Sequence, residues 1–591
     1  MLFSAKTTDK THCTFIFGSK VHTGMSRALL VLLSVFVFVN LSAQQIDVEE
    51  AVRRLTGVSD VEALDAEQVE MYSDLYRHPV DLNRSTRSFL ESAGLFTPFQ
   101  LASLIDYRER HGSILSMVEL ASVDGFTDET VNNLKPFIIL SPDVLITRKT
   151  AKFSGDFSTR CGYKADRSKD VSKAMYGLKS RICLDFSPDK VTVTFAASGP
   201  YDSSRIFPTV CSTSLLYQHR AGKLVVGDFN ARYGQGLCLW NTTAFSSLNA
   251  PSAFMKRPSG ISAVNSFTGS SALTGVAADL TLGRWQIAAM LSVPGIKNLQ
   301  KRPDDIRLSP VLNIMRYGRF GHFACTHMMS FSSFLTKDFL IPQMRTSIDG
   351  SCCIKGVNVF GEGMYDWVDR KFSFLTGTQF GLIENIRAAS MVRYLPSSNE
   401  HGAAVALEAT LKEHRLQASI DALYHPISKS KDGSMSRQIR IQANWIWEIN
   451  AALQTKIRAV ERLRTWGTGS RTELRVETVY EYRNWKFSFR ADALNGLSYA
   501  GLTYLEAGYL TGKVSAYIRY GIFHIDNWDD RIYVYERDAP ANFNVPSFYG
   551  RGFWASCYVA YKPSRWSKLY MRGIYKKPGN AELKLYCILE F

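Results

Sequence analysis

Residues 439–450 read IRIQANWIWEIN. Ile439, Ile441, Ala443, Trp445, Trp447 and Ile449 fall on one face of an extended chain, with Arg440, Gln442, Asn444 and Glu448 on the other. Strand side chains alternate between two faces, so this run describes a β-strand lying between an apolar and a polar environment. The pattern recurs across the chain. In KFSGDFSTRCGY, Lys152, Ser154, Asp156, Ser158 and Arg160 alternate with Phe153, Gly155, Phe157, Thr159 and Cys161. After Thr511-Gly512, Val514, Ala516, Ile518, Tyr520 and Ile522 alternate with Lys513, Ser515, Tyr517 and Arg519. The sequence ends ELKLYCILEF, with Leu583, Leu585, Cys587, Leu589 and Phe591 on one face.

Such segments, repeated from about residue 145 to 591, are the signature of transmembrane β-strands. Strands of roughly 10 residues joined by short turns and longer loops predict about 14 to 18 strands. Closure into an antiparallel barrel would remove the edges that an open sheet leaves exposed. Trp445, Trp447, Trp554 and Tyr558 lie near segment ends and suit interfacial girdles. The alternating last strand with its terminal Phe591 resembles the signal read by the outer-membrane β-barrel assembly machinery.

The first residues read differently. Met25-Ser26-Arg27 precedes ALLVLLSVFVFV (28–39), and Leu41-Ser42-Ala43 offers small residues for cleavage. A basic start, a short apolar core and a small-residue site predict a signal peptide over 1–43, with Met25 as a second candidate start. Twelve apolar residues are too few to span a bilayer as a helix. No other apolar run approaches 18 residues, so no transmembrane helix is expected.

Between the leader and the strands, residues 44–140 follow a helical period. Leu101, Leu104, Ile105 and Arg108 recur at helical spacing until Gly112. Ser116 opens a short helix through Leu120, and Thr127 caps DETVNNLKPF. The run DLN…AGL…YR…G…S…EL…V.GF…L.PF, over about 80–138, resembles the helix-hairpin-helix module of ComEA-type competence DNA receptors. The resemblance implies two hairpins whose backbone amides face a phosphate. Gly94, Thr97, Gly125 and Thr127, with Arg84, Arg87, Arg108 and Arg110, would then contact DNA or a protein partner. In each hairpin the second glycine of the family pattern is replaced, by Phe96 and Thr127. Asp128 and Glu129 also stand where a phosphate would sit.

Charge separates the two regions. The whole chain carries +16, whereas residues 44–140 hold eight Lys and Arg against seventeen Asp and Glu, a net of −9. An acidic module is a poor DNA binder, because counterion release from phosphate requires a basic footprint. The remainder after residue 140 is +22. Basic residues on its rim would bind anionic lipopolysaccharide, and in its lumen would favour anions. The opposite signs predict that the helical domain docks against the periplasmic mouth of the barrel or partly plugs it.

Two barrel stretches depart from the plain wall pattern. Val225–Trp240 packs Gly227, Gly234 and Gly236 around Asp228, Arg232 and Tyr233, a candidate lumen or loop site; glycines inside a strand imply bends. Asp530–Gly552 is rich in Pro and Asn and predicts a long loop, either extracellular or folded into the lumen. Both stretches resemble segments of an uncharacterised outer-membrane family that couples a helix-hairpin-helix front to a barrel.

Catalytic signals are weak. HExxH, GxSxG and P-loop motifs are absent. His322 and His327, five residues apart, would face opposite sides of a strand; His401, His414, His425 and His524 are scattered. Nine cysteines follow the leader without a CxxC pair, so neither a metal framework nor a cofactor is expected. The sequence therefore predicts a non-enzymatic outer-membrane channel or assembly scaffold, its periplasmic helical domain docking a protein partner or the barrel mouth. A DNA-uptake protein is the alternative, and an outer-membrane lipid hydrolase the third reading.

Overall fold

In the computed structural model, residues 48–141 and 153–591 are described, apart from 167–172, 187–190, 200–209, 241–247, 265–271, 295–306, 332–342, 384, 430–432, 468, 541 and 578. The leader expected over 1–43 lies outside the described residues.

Six helices come first: α1 (Val48–Thr56), α2 (Ala66–Arg77), α3 (Arg87–Ser92), α4 (Pro98–His111), α5 (Met117–Ala121) and α6 (Asp128–Leu134). Their ends follow local chemistry. Asp65, Thr86, Thr97, Ser116 and Thr127 cap helices 2 to 6 in turn, each side chain accepting from a backbone amide that has no helical partner. Thr97 and Gln100 form a reciprocal capping box, and Gly112 stops α4 with φ 83°. Two helix–turn–helix units result, α3–α4 and α5–α6, and their turns use Gly94 and Gly125 at φ 63° and 86°. Arg108 ties the first unit together by donating to the carbonyls of Ser85 (2.9 Å) and Asn83 (2.7 Å).

From Ser154 onward the chain forms a closed antiparallel barrel with 24 wall strands among the described residues. The fold class expected from the sequence holds, but the strand count exceeds the 14 to 18 predicted. Each strand with its connection uses only roughly 18 residues, because one rim is built almost entirely from two-residue turns. Several of these, at Lys355, Lys412 and Arg483, begin with a residue at φ near +50°. All connections longer than four residues leave from the opposite rim. The first and last strands, Ser154–Asp166 and Asn580–Glu590, pair in register from Glu582↔Lys164 to Glu590↔Asp156. Gly155 and Phe591 then exchange two backbone hydrogen bonds of 2.9 Å, so the seam leaves no free edge.

The wall is inverted relative to a soluble protein. Outward positions such as Ile441, Ile518, Tyr520, Leu585 and Leu589 are exposed, whereas inward Asp156, Ser158, Arg181, Gln442, Asn444 and Arg490 are buried. A soluble monomer rarely shows contiguous apolar surface on this scale. Trp445 lies outward as expected, but Trp554 does not: it is fully buried inside, donating Nε1–H to Glu536 at 2.9 Å. Tyr558 shares that inward face, so neither residue belongs to an outer girdle. Strand parity decides this, since Trp554 and Tyr558 stand two and six residues from Gly552 on one face of Gly550–Ser564.

The helical domain occupies the lumen. One apolar core runs from Val52, Leu82, Leu90, Leu104, Leu134 and Phe137 into wall residues Val225, Phe229, Met290, Met315 and Tyr317. Of the two placements that its charge predicted, docking at the mouth and partial plugging, the domain adopts the second.

Candidate functional site: the plugged lumen

The domain is held on opposite sides by different forces. The strands between Gly222 and Ser330 offer the apolar surface just described, with a polar fringe. Asp279 accepts from Ser88 Oγ at 2.8 Å and pairs with Lys223 at 3.3 Å; Lys223 also donates to the Ser88 carbonyl at 3.1 Å. Arg87 donates to the Gly283 carbonyl at 3.2 Å, and its guanidinium lies 3.5 Å from the centre of the Tyr317 ring.

Across the lumen the contacts are ionic. Asp60, in the turn after α1, pairs with Arg458, with Lys456 at 3.0 Å and with Arg475 at 3.6 Å. Glu62 pairs with Arg490 and with Arg475 at 3.2 Å. Asp74 on α2 pairs with Arg181 at 3.3 Å, and on the apolar side itself Glu67 pairs with Arg232 at 3.4 Å. Glu129 at the start of α6 pairs with Arg387 and with Arg415 at 3.2 Å. The acidic surplus of the domain is thus spent on the basic surplus of the wall. Burial pushes the Asp60 carboxyl up, but Arg458, Lys456 and Arg475 more than reverse this and hold it well below the usual range. Glu62 is lowered likewise, burial being outweighed by Arg490 and Arg475, and Asp74 by Arg181 and Arg77.

Two segments from the long-loop rim close over the domain. The first begins in strand Gly222–Arg232. At Gly227 (φ 104°) the strand parts from its wall neighbour Val210–His219, and residues 229–232 pair on that side instead with a short inner strand, Gly260–Ala263. The bend expected from the glycines is present. Beyond it, Gly234 (φ 62°) and Gly236 (φ 88°) turn three backbone amides onto the Glu362 carboxylate: Gln235 at 2.7 Å, Leu237 and Cys238 at 3.1 Å. Asp228 anchors the bend, accepting from Ser212 (2.7 Å), the Thr213 amide (3.1 Å) and Thr274 (2.6 Å), while Tyr233 is buried. The second segment is the Pro- and Asn-rich loop, which folds into the lumen. Its Glu536 accepts from Arg519, Trp554 and Ser556, and its Asp538 pairs with Lys584 at 2.9 Å and Arg572 at 3.3 Å. The Tyr535 amide donates to Glu62 at 3.1 Å, joining this loop to the domain.

In this arrangement the hairpin residues are engaged within the domain and against its neighbours. Gly94 faces Met71, Tyr72 and Ser259, and its carbonyl accepts from the Tyr72 hydroxyl at 2.9 Å. The Thr97 amide is bonded by Gln100 in the capping box. Gly125 packs on the Phe99 ring, its carbonyl accepting from Gln100 at 2.9 Å, and Thr127 caps α6. Arg84 is half-exposed near Asp81, and Arg110 pairs with Asp106 at 2.8 Å on the same helix.

His322 and His327 face opposite sides of their strand, as spacing requires. The neighbours of His322 come from the adjacent strand, remote in sequence. Its Nδ1 lies 2.9 Å from Ser351 Oγ and its Nε2 2.9 Å from Asp349, the connectivity of a nucleophile–base–acid set. All three side chains are buried, and α4 packs over their strands, Gly321–Ser330 and Gln343–Ile354.

Among the described residues, cavities of about 320, 460 and 550 Å³ remain around the domain. The largest is lined by Arg440, Arg458, Arg462, Arg464, Arg471 and Arg475 over a floor of Asp60, Glu62 and Ala63.

No protein-family profile matches the chain, and no characterised protein matches it in sequence. Among solved structures it is similar to a copper transporter, OprC, at 10% identity over 77% of this chain and 82% of that one, with a TM-score of 0.38. A ferric enterobactin receptor, PfeA, from Pseudomonas aeruginosa gives 7% identity, 75% and 81% coverage and a TM-score of 0.40. The translocation pore of the P pilus usher PapC gives 7%, 74% and 99%, with 0.37.

Proposed function

We propose that this protein is an integral outer-membrane channel whose own N-terminal helical domain closes its lumen as a docked plug. The observation carrying this reading is the match between an acidic domain and a basic inner wall, buried as ion pairs on one side and as a shared apolar core on the other. An outward apolar face around an inward polar one supports membrane insertion. Bacterial barrels of this kind place short turns in the periplasm and longer loops outside. By that rule the plug, whose contacts concentrate toward the short-turn rim at Lys223, Gly283, Tyr317, Arg387 and Arg415, is reached from the periplasm. The two infolded loops then close the outer side. The barrel assembly machinery and lipopolysaccharide are its expected partners, with Phe591 as the insertion signal.

Buried ion pairs add little net stability, since desolvation offsets most of their attraction. Their role here is to fix where the domain sits, and this suits a plug that must leave or shift without unfolding the wall. The test is single-channel conductance in planar bilayers, comparing the whole protein with a chain lacking residues 44–140. The proposal requires a small or absent conductance in the first and a large one in the second. Equal conductances would remove it.

A further inference from the structure

The largest cavity has a charge arrangement that the plug does not explain. Arg440 stands directly opposite Arg462 on the next strand, and Arg462 directly opposite Arg471 on the one after. Arg464 lies one inward position further along the strand of Arg462. Like charges facing each other across a ladder are destabilising, so a wall seldom places three in a row without a counter-charge. Elsewhere in this lumen Arg458, Arg475, Arg490 and Arg519 each meet a carboxylate. Here Glu473 alone serves, and it is already shared by Arg471 at 2.8 Å and Arg458 at 3.4 Å.

Among the described residues, Arg440, Arg462 and Arg464 form no ion pair. Arg440 donates to the Gln442 amide oxygen (2.8 Å), Arg464 to that of Gln438 (2.7 Å), and Arg440 Nε is buried without a partner. The acids on the floor are engaged below, Asp60 with Lys456, Arg458 and Arg475, and Glu62 with Arg475 and Arg490. The upper side carries Arg531, its guanidinium over the Trp528 and Tyr533 rings. Several guanidinium forks therefore converge on about 550 Å³ of space with their charge unspent.

We infer that this arginine cluster is a binding site for a small soluble polyanion, one presenting several phosphate, sulfate or carboxylate oxygens. Planar guanidinium groups bind such oxygens two at a time, and a multivalent anion would relieve the repulsion along the Arg440–Arg462–Arg471 row. The cluster faces the lumen, away from the outward apolar belt where lipid chains would lie, and this favours a soluble anion over a lipid headgroup. The inference goes beyond the closed-channel reading and does not depend on it, since binding can be measured without a membrane.

The experiment is isothermal titration of the whole protein in detergent micelles with inorganic pyrophosphate at low and physiological salt. Saturable binding that weakens with salt is expected. The double variant Arg440→Gln/Arg462→Gln should weaken it by at least about tenfold, the worth of one charge-assisted hydrogen bond. Arg551→Gln, at an exposed pair with Asp526, should leave it unchanged. Heat-modifiable electrophoretic mobility establishes that each variant is a folded barrel. No saturable binding at low salt, equal binding by the double variant, or binding of a short-chain phosphatidic acid but not of pyrophosphate would each overturn the inference.

Discussion

Replacing Asp60 by Asn isolates the ionic half of the plug's attachment. The carboxylate is 3% exposed and meets three cations, Lys456, Arg458 and Arg475, whose side chains are 12%, 9% and 6% exposed. The amide keeps the shape and removes the charge, leaving three cations crowded around a neutral group. Removing one partner of a buried pair costs about 3–5 kcal/mol, which is roughly two to four orders of magnitude in a two-state ratio. The wall strands keep their ladders, so the cost falls on the docked state of the plug and not on the barrel. Planar-bilayer recordings should show frequent opening where the parent protein is quiet, and limited proteolysis should cut within α1 and α2. Adding Arg458→Met removes part of the orphaned charge and should restore quiet traces in part, a coupling that a double-mutant cycle measures. Unchanged conductance and unchanged protease protection in Asp60→Asn would refute the idea that these pairs seat the plug.

Acid should act on the same contacts. The carboxyls of Asp60, Glu62 and Asp74 are depressed on docking, so their contribution is complete above about pH 4 and is lost as pH falls further; conductance should stay low at neutral pH and rise below about pH 4. Glu129→Gln should change opening by less than about 1 kcal/mol equivalent, since its partners Arg387 and Arg415 are 41% and 33% exposed. Gly234→Ala would place a Cβ 2.7 Å from Glu362 Oε2 at a residue with φ of 62°, costing about 1–3 kcal/mol, read as a lower melting temperature. Ile441→Arg, on the outer face, should destabilise the inserted barrel by about 2–4 kcal/mol in a urea titration from vesicles.

Much of this architecture was legible because a strand's two faces are written alternately into its sequence. IRIQANWIWEIN needs no partner to show which side is wet. The charge split was legible for a similar reason, as a sum that survives ignorance of contacts. It pointed to attraction between the two regions but carried no depth, and depth came from Leu90, Leu104 and Phe137 continuing into Phe229 and Met315, residues remote in sequence. The hairpin resemblance named residues that do form two capped turns, yet Gly94 and Gly125 spend their conformational freedom on packing against Met71, Tyr72 and Phe99. Trp445 and Trp554 look alike as aromatic residues near strand ends. Only their parity on the strand, outward at Trp445 and inward at Trp554, separates them. The arginine row was hidden because Arg440, Arg462 and Arg471 become neighbours only once the register of three strands is known.

Nearly every pairing in the wall joins strands adjacent in sequence, so its hairpins are local contacts of the kind that form quickly. The meeting of Gly155 with Phe591 is the exception, uniting the first and last strands. The plug's attachments are equally remote, linking residues 60–91 to wall positions from Arg181 to Arg490. Assembly therefore resembles a long zip with one final fastening.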